Sequence, residues 1–265
     1  MGLTASERER YTSDGYVVPQ YSLPREQLQR LRSALNEVIA TNPTVRPEKL
    51  VSVHIPGRNA EGTVGHQAFM DIASDPHILD LVESVMGPDI VLWGCQAFCK
   101  PGGDGLEVPW HQDGHYWPIR PLANCSVWIA LDDSVIENGC LRVLAGSHAE
   151  QQLHDHYVDD RPDLTLTNAI EPRYMQGHVP VDIELRAGQM SLHDVYMVHG
   201  SNPNHSDKRR AGLAIRYMPA TSVFRRDLID RTDSSGFLVD FSSRPLWLLR
   251  GEDRTGQNDF SVGHR

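Results

Sequence analysis

The sequence predicts a mainly β fold with its helices gathered near the N-terminus, arranged as an antiparallel barrel or jelly roll. Three observations predict it. Beyond residue 89 the chain breaks into short β-branched and aromatic runs bounded by Gly, Pro, Asn and Asp clusters. Before residue 89, apolar residues recur at three- and four-residue spacing. No helical periodicity returns between the short runs, which argues against alternating β-α-β units. The chain has 265 residues, enough for one large domain that buries roughly 70–75% of the unfolded surface. Hydrophobic residues make up 40% and charged residues 23%, which excludes a disordered or fibrous chain.

Taken in order, Gly15–Val18 reads as a short strand. Pro24–Ala40 reads as a helix with Leu28, Leu31, Leu35 and Val38 on one face and Pro24 at its start. Asp75-Pro76 opens a second helix through Ile78, Leu79, Leu81 and Val82, stopped by Gly87-Pro88. The β-like runs are Asp89–Cys99, Cys125–Leu131, Cys140–Leu144, Gln189–His199 as one piece, and Arg209–Met218. Residues 149–186, polar and rich in His, Asp and Pro, read as a lid-like excursion. Residues 219–265 read as a capping segment. The expected layout is one domain over 1–265, helix-rich over 1–88, with its β core over 89–218.

Charge and composition exclude several classes. With 25 Lys+Arg against 35 Asp+Glu the net charge is −10, which disfavours a nucleic-acid partner. The longest apolar stretches, around Ile90–Trp93 and Ala97–Cys99, fall far short of the ~20 residues a membrane span needs. The opening MGLTASERER has no secretory pattern, so the expected location is the cytoplasm and the expected partner a small molecule. Cys95, Cys99, Cys125 and Cys140 form no CxxC pair and read as free thiols.

The unusual count is 13 His. In Val108–Pro118 (VPWHQDGHYWP), a strand would project His111 and Asp113 to one side and Gln112 to the other. A third metal ligand is expected from His199, which ends the Gln189–His199 run before Gly200. Two His and one carboxylate leave coordination positions open, as in non-haem Fe(II) oxygenases. Zinc would more often be closed by a fourth protein ligand, or be hydrolytic with a bound water. After the turn-forming Ser201–Lys208 segment, Arg210, Gly212, Ala214 and Arg216 share one strand face. Read as lying across one hairpin from the metal, Arg210 suits the far carboxylate of a dicarboxylic co-substrate.

Other residues carry weaker readings. His193 reads as packing beside the ligands. His115, Tyr116 and Trp117 read as a substrate wall or as ordinary core and strand-end residues. His148, His154, His156, His178 and His205 read as solvated, and Arg225-Arg226 as a salt-bridged surface pair or an anion clamp.

His111-Gln112-Asp113, the WIALDD…ENGCLRVLAGSH run over Trp128–His148, and HGS…RR over His199–Arg210 together resemble the phytanoyl-CoA dioxygenase family of iron- and 2-oxoglutarate-dependent oxygenases. The resemblance implies a double-stranded β-helix (a cupin-like jelly roll), with Fe(II) held by His111, Asp113 and His199. It implies 2-oxoglutarate held by Arg210 and Ser201, with Trp128 and Gln96 nearby and Asn138–Leu141 as a structural turn. The implied reaction consumes O2 and converts 2-oxoglutarate to succinate and CO2 while hydroxylating a C–H bond. Related halogenases lack the carboxylate that Asp113 supplies. Apart from Arg225-Arg226 and Lys208–Arg210 the chain shows no basic cluster for the phosphates of CoA, and its polar lid favours a small polar metabolite. A metal-binding cupin-like isomerase or binding protein is the alternative, and it leaves Arg210 and Ser201 without a role. A nucleic-acid-repair dioxygenase is a third reading, weighed against by the charge.

Overall fold

A computed structural model of the chain describes residues 2–59, 62–228 and 241–264. Its core is two facing antiparallel sheets, the jelly roll the sequence predicts. In the larger, seven-stranded sheet the order runs Tyr16–Val17, Met190–Asp194, Cys125–Ala130, Arg210–Pro219, Ile90–Lys100 and Trp247–Arg250, with Leu50–Val51 also paired to Ile90–Lys100. The smaller sheet runs Pro180–Ile183, Leu141–Leu144, Val198–Ser201 and Val108–Gln112. Trp128, Ala130 and Ala214 of the larger sheet pack with Leu141, Val143 and Ile183 of the smaller one, closing the space between them.

Alternation along Arg210–Pro219 divides the two faces of the larger sheet. Ala211, Leu213, Ile215 and Tyr217 join the main apolar cluster with the helical residues Leu31, Leu35, Phe69, Ile78 and Val82. Arg210, Gly212, Ala214 and Arg216 take the inner face. The outer face is thus sealed by helices, and the inner face is left for polar chemistry.

The helix Arg25–Thr41 buries Leu31, Leu35 and Val38 of the predicted stripe together with Ala34, while Leu28 packs half-buried against the same cluster. Pro24 precedes it as the cap residue, a place its fixed φ suits. Asp75 caps Pro76–Met86 by accepting the His77 N–H at 2.9 Å. Two further helices escape the apolar pattern. Ala5–Asp14 buries no residue and is set by a capping box in which Thr4 and Glu7 satisfy each other's backbone N–H. Gln67–Ala73 is only seven residues long.

Three expectations need correction. Gln189–His199 is two strands, Met190–Asp194 in the larger sheet and Val198–Ser201 in the smaller. Asp194 caps the corner by accepting the Tyr196 N–H at 2.9 Å. For the same reason Val198–Ser201 and Arg210–Pro219 are no hairpin: each pairs within its own sheet. The 149–186 excursion carries a ladder of its own, His156–Val158 with Asn168–Ile170, and ends in the core strand Pro180–Ile183. Within 219–265, Trp247–Arg250 extends the larger sheet along Ile90–Lys100. The four cysteines are buried and unpaired with one another. No helix among the described residues is long and apolar enough to cross a membrane.

Candidate active site

His111 and His199 sit opposite each other as register partners on neighbouring strands of the smaller sheet, with ring centres 4.3 Å apart. The strand carrying His111 ends at Gln112, and Asp113 opens a 3-10 turn, Asp113–Tyr116. Its carboxylate swings back so that Oδ1 lies 3.6 Å from His111 Nε2 and Oδ2 lies 4.0 Å from His199 Nε2. One ligand atom from each of the three lies within 4.8 Å of the others, and all three residues are buried. The Nδ1 atoms of His111 and His199 face the carbonyls of Pro109 and Met197 at 2.8 and 3.0 Å. Nδ1–H therefore donates to the backbone, leaving each Nε2 lone pair aimed at the common centre.

The charge of the cluster fits a divalent cation. Burial, followed by the neighbouring His111, pushes His199 down to about 3, so it is a neutral ligand near pH 7. Burial alone would raise the Asp113 pKa, but His111, His193, His199 and Arg216 hold it well below the usual carboxylate range. A neutral His199 and an ionised, buried Asp113 beside His111 offer nitrogen and carboxylate donors that suit a divalent cation.

On the larger sheet, Arg210 is 2% exposed and forms no ion pair among the described residues. Its Nε donates to the Gly139 carbonyl at 3.1 Å, its Nη1 to that of Phe98 at 3.2 Å, and its guanidinium carbon lies 5.3 Å from the Trp128 ring centre. Gly139 holds φ +76, a left-handed turn that glycine adopts readily, so the Asn138–Leu141 turn sets one Arg210 contact. Burial lowers the Arg210 pKa to about 10, so the cation persists without an anion. The Ser201 hydroxyl is buried and unpartnered. A desolvated cation and an orphaned hydroxyl suit a carboxylate-bearing co-substrate.

The remaining candidates fall in varied places. Gln96 engages Arg216, whose Nη1 donates to its Oε1 at 3.1 Å, rather than Arg210. Trp117 is buried against Trp93, with ring centres 4.6 Å apart. His115 is exposed and stacks on His156 at 4.2 Å. The side chain of Tyr116 lies outside the described residues. Three of the histidines expected to be solvated are not so: His148 is buried against the Thr12 carbonyl, and half-buried His156 accepts the Gln112 N–H. His154 is also half-buried, stacked on Tyr174, whereas His178 and His205 are exposed. Arg225 pairs with Asp227.

His193 packs beside the ligands as expected: it is 3% exposed, with Nε2 3.9 Å from Asp113 Oδ2 and no hydrogen bond to either ring nitrogen among the described residues. One residue that the sequence reading did not single out also adjoins the site. Buried Lys100 donates to the carbonyls of Ser201 and Asn202, tying the two sheets together beside Arg210. Register would have found Lys100, because it is the direct partner of Arg210 on the adjacent strand.

A jelly roll that buries two imidazoles and a carboxylate on one sheet, and an arginine without an acidic partner on the other, has the make-up of a non-haem iron oxygenase with a 2-oxo-acid co-substrate. Sequence comparison agrees and goes further: the chain belongs to the phytanoyl-CoA dioxygenase (PhyH) family, whose profile matches residues 11–212. It is a 2-oxoglutarate-dependent dioxygenase with iron as its metal. Peroxisomal phytanoyl-CoA dioxygenase of Bos taurus is 24% identical over 286 residues, covering 96% of this chain and 83% of the relative. A probable alpha-ketoglutarate-dependent hypophosphite dioxygenase of Stutzerimonas stutzeri is 31% identical over 157 residues, covering 58% of this chain and 54% of that protein. Among solved structures, the apo form of the non-heme monooxygenase ThoJ superposes with a TM-score of 0.68 at 26% identity, covering 93% of this chain and 84% of that one.

Proposed function

We propose that this dioxygenase hydroxylates an unactivated C–H bond of a small polar metabolite. The observation that supports it best is the pairing of the His111–Asp113–His199 cluster with Arg210, a buried cation that has no acidic partner among the described residues. In this reading the three residues hold Fe(II), and Arg210, Ser201 and Trp128 receive the far carboxylate of 2-oxoglutarate. When bound, iron with 2-oxoglutarate and O2 supplies oxidative decarboxylation to succinate and CO2, together with the oxidant that replaces C–H by C–OH.

The protein supplies position, dryness and charge. The backbone carbonyls of Pro109 and Met197 fix the two imidazoles before metal arrives. His193 and the Ser126 hydroxyl, 3.9 and 3.4 Å from Asp113 Oδ2, flank the carboxylate and restrict its rotation. Asp113 fills a ligand position that halide would otherwise take, which favours hydroxylation over halogenation. Arg210 meets its anion in a low-dielectric setting, where the contact is strengthened.

The test follows succinate release, coupled to a metabolite screen, with anaerobic Fe(II) loading. Asp113→Ala and His199→Ala should abolish iron-dependent release, whereas Arg210→Ala should chiefly raise the 2-oxoglutarate requirement. Normal turnover by either ligand variant, or a chlorinated product without alcohol when chloride is present, would remove the assignment. The alternative, a cupin-like isomerase or binding protein, requires that Fe(II) and 2-oxoglutarate together give no visible charge-transfer band.

A further inference from the structure

Arg216 lies on the same inner strand face as Arg210, at the other end. Its guanidinium carbon sits 5.2 Å from the Trp117 ring centre and 5.9 Å from that of Trp93, two buried indoles that fix the plane of the cation. Trp93 is itself anchored, its Nε1 donating to Asn124 Oδ1 at 2.8 Å. Asn124 in turn donates to the Ser126 hydroxyl at 3.1 Å, which lies 3.4 Å from Asp113. The box around Arg216 is therefore continuous with the metal cluster.

Arg216 uses only part of its hydrogen-bonding capacity. Nη1 donates to Gln96 Oε1 at 3.1 Å. Nε is buried with no acceptor, and Nη2 makes no hydrogen bond among the described residues. In a guanidinium, Nε–H and Nη2–H point the same way and form one of the two edges that grip a carboxylate with parallel hydrogen bonds. The satisfied atom, Nη1, lies off that edge. Two structural explanations leave this unaccounted for. A cation held only for packing between indoles would not leave a desolvated N–H unpaired, which carries a penalty. The charge of Arg216 does reach Asp113, but a dedicated counter-ion would sit against that carboxylate, and no ion pair joins the two among the described residues. Nearer groups, His111, His193, His199 and Ser126, already surround that carboxylate.

We propose that Arg216 is the anion-binding residue of the substrate pocket, and that the metabolite this enzyme oxidises carries a carboxylate that closes on the Nε/Nη2 edge. The assignment deepens, and rests on, the reading of the site as a hydroxylase of a small polar metabolite. Gln96 sets the orientation of the fork, Trp93 and Trp117 hold its plane, and the anchored carboxylate fixes which C–H bond faces the metal cluster.

The test uses the full chain and two readouts. Small amino and hydroxy acids, each beside its primary amide, are titrated against intrinsic tryptophan fluorescence, to which Trp93 and Trp117 contribute. The same compounds are then tested for stimulation of succinate release. Wild type should bind and respond to at least one acid about a hundredfold better than to its amide, and Arg216→Gln should lose that preference. Arg216→Lys keeps the charge but not the fork, and should weaken acid binding about tenfold or more while preserving the preference. Amides binding wild type as well as acids, no compound binding wild type more tightly than the Gln variant, or Lys binding acids as tightly as Arg would each overturn the proposal. Failure of the hydroxylase reading looks different: no succinate would form from iron and 2-oxoglutarate, while the fluorescence comparison would still decide the anion site.

Discussion

A Cβ atom placed on Gly212 would lie 2.0 Å from Cζ2 of Trp128. The indole thus rests directly on the glycine backbone, and the Arg210 guanidinium carbon lies 5.3 Å from its ring centre. Gly212→Ala should force the ring outward, costing about 1–3 kcal/mol of stability through overpacking. It should also displace Arg210 from the position proposed to receive the co-substrate carboxylate. The KM for 2-oxoglutarate should rise about tenfold to a hundredfold, with a smaller change in metal affinity. Thermal unfolding and a 2-oxoglutarate saturation series check this, and an unchanged KM would uncouple Trp128 from co-substrate binding.

Gln112, between the two metal-motif residues, makes the contacts that hold the excursion in place. Its Nε2 donates to the carbonyls of Gln152 and Tyr196 at 2.9 and 2.8 Å, and its Oε1 accepts the His154 N–H at 2.8 Å. It is fully buried. Gln112→Leu should leave those three backbone groups unpaired and cost about 3 kcal/mol. Limited proteolysis should then cut first within residues 150–178, and the melting point should fall even without metal. Cleavage at the same rate as wild type would show that the excursion is held elsewhere.

What the sequence made legible and what it did not follows from locality. His111 and Asp113 could be read because they lie two apart in sequence, although it is the 3-10 turn opening at Asp113, not strand alternation, that brings the carboxylate back. Arg210 and Arg216 could be read because alternation holds along a long strand. The stripe of Arg25–Thr41 was equally readable. Gln189–His199 was misread because a mostly apolar run looks the same whether it continues or turns a corner. The choice between sheets is made by pairing partners far away in sequence. His193 reaches Asp113 only because of that corner. Ala5–Asp14 carries no apolar stripe, and the Thr4–Glu7 capping pair was its only signal. The box around Arg216 draws Trp93 and Gln96 from Ile90–Lys100 and Trp117 from beyond the Asp113–Tyr116 turn, a meeting of separate segments that no local pattern encodes.

The metal cluster should be preformed. His111 and His199 are paired across adjacent strands, and their rings are fixed by backbone carbonyls. Removing divalent metal with a chelator should therefore leave the far-UV circular dichroism unchanged. Reloading with Mn(II), which avoids oxidation during the measurement, should stabilise the fold by about 2.7 kcal/mol at a hundredfold excess over Kd. Asp113→Ala should remove that increment. Loss of secondary structure on chelation would show instead that metal organises the fold.

A buried histidine away from the metal cluster contributes to the acid sensitivity of the fold. His54 is 0% exposed, and neither ring nitrogen has a hydrogen-bond partner. Trp247 packs against it with ring centres 5.0 Å apart. Burial, reinforced by the charge of Arg244, pushes His54 down from 6.5 to about 3. The unfolded chain takes up this proton near pH 6.5 and the folded chain only near pH 3, so between those values the unfolded state binds more protons. The neutral His54 contribution is therefore fully present above pH 6.5 and is lost progressively as pH falls toward 3, with a limiting slope of about 1.4 kcal/mol per pH unit. His199, pushed down to about 3, and His156, pushed down to about 4 by burial and the neighbouring His115, contribute in the same direction, so the His54 share must be separated by mutation. In metal-free protein, urea denaturation at pH 4, 5, 6 and 7 should give His54→Leu a stability–pH curve shallower by about one proton's slope between pH 4 and 6. The offset at pH 7 reports packing alone. Parallel curves for variant and wild type would place the acid sensitivity on His199 and its neighbours instead.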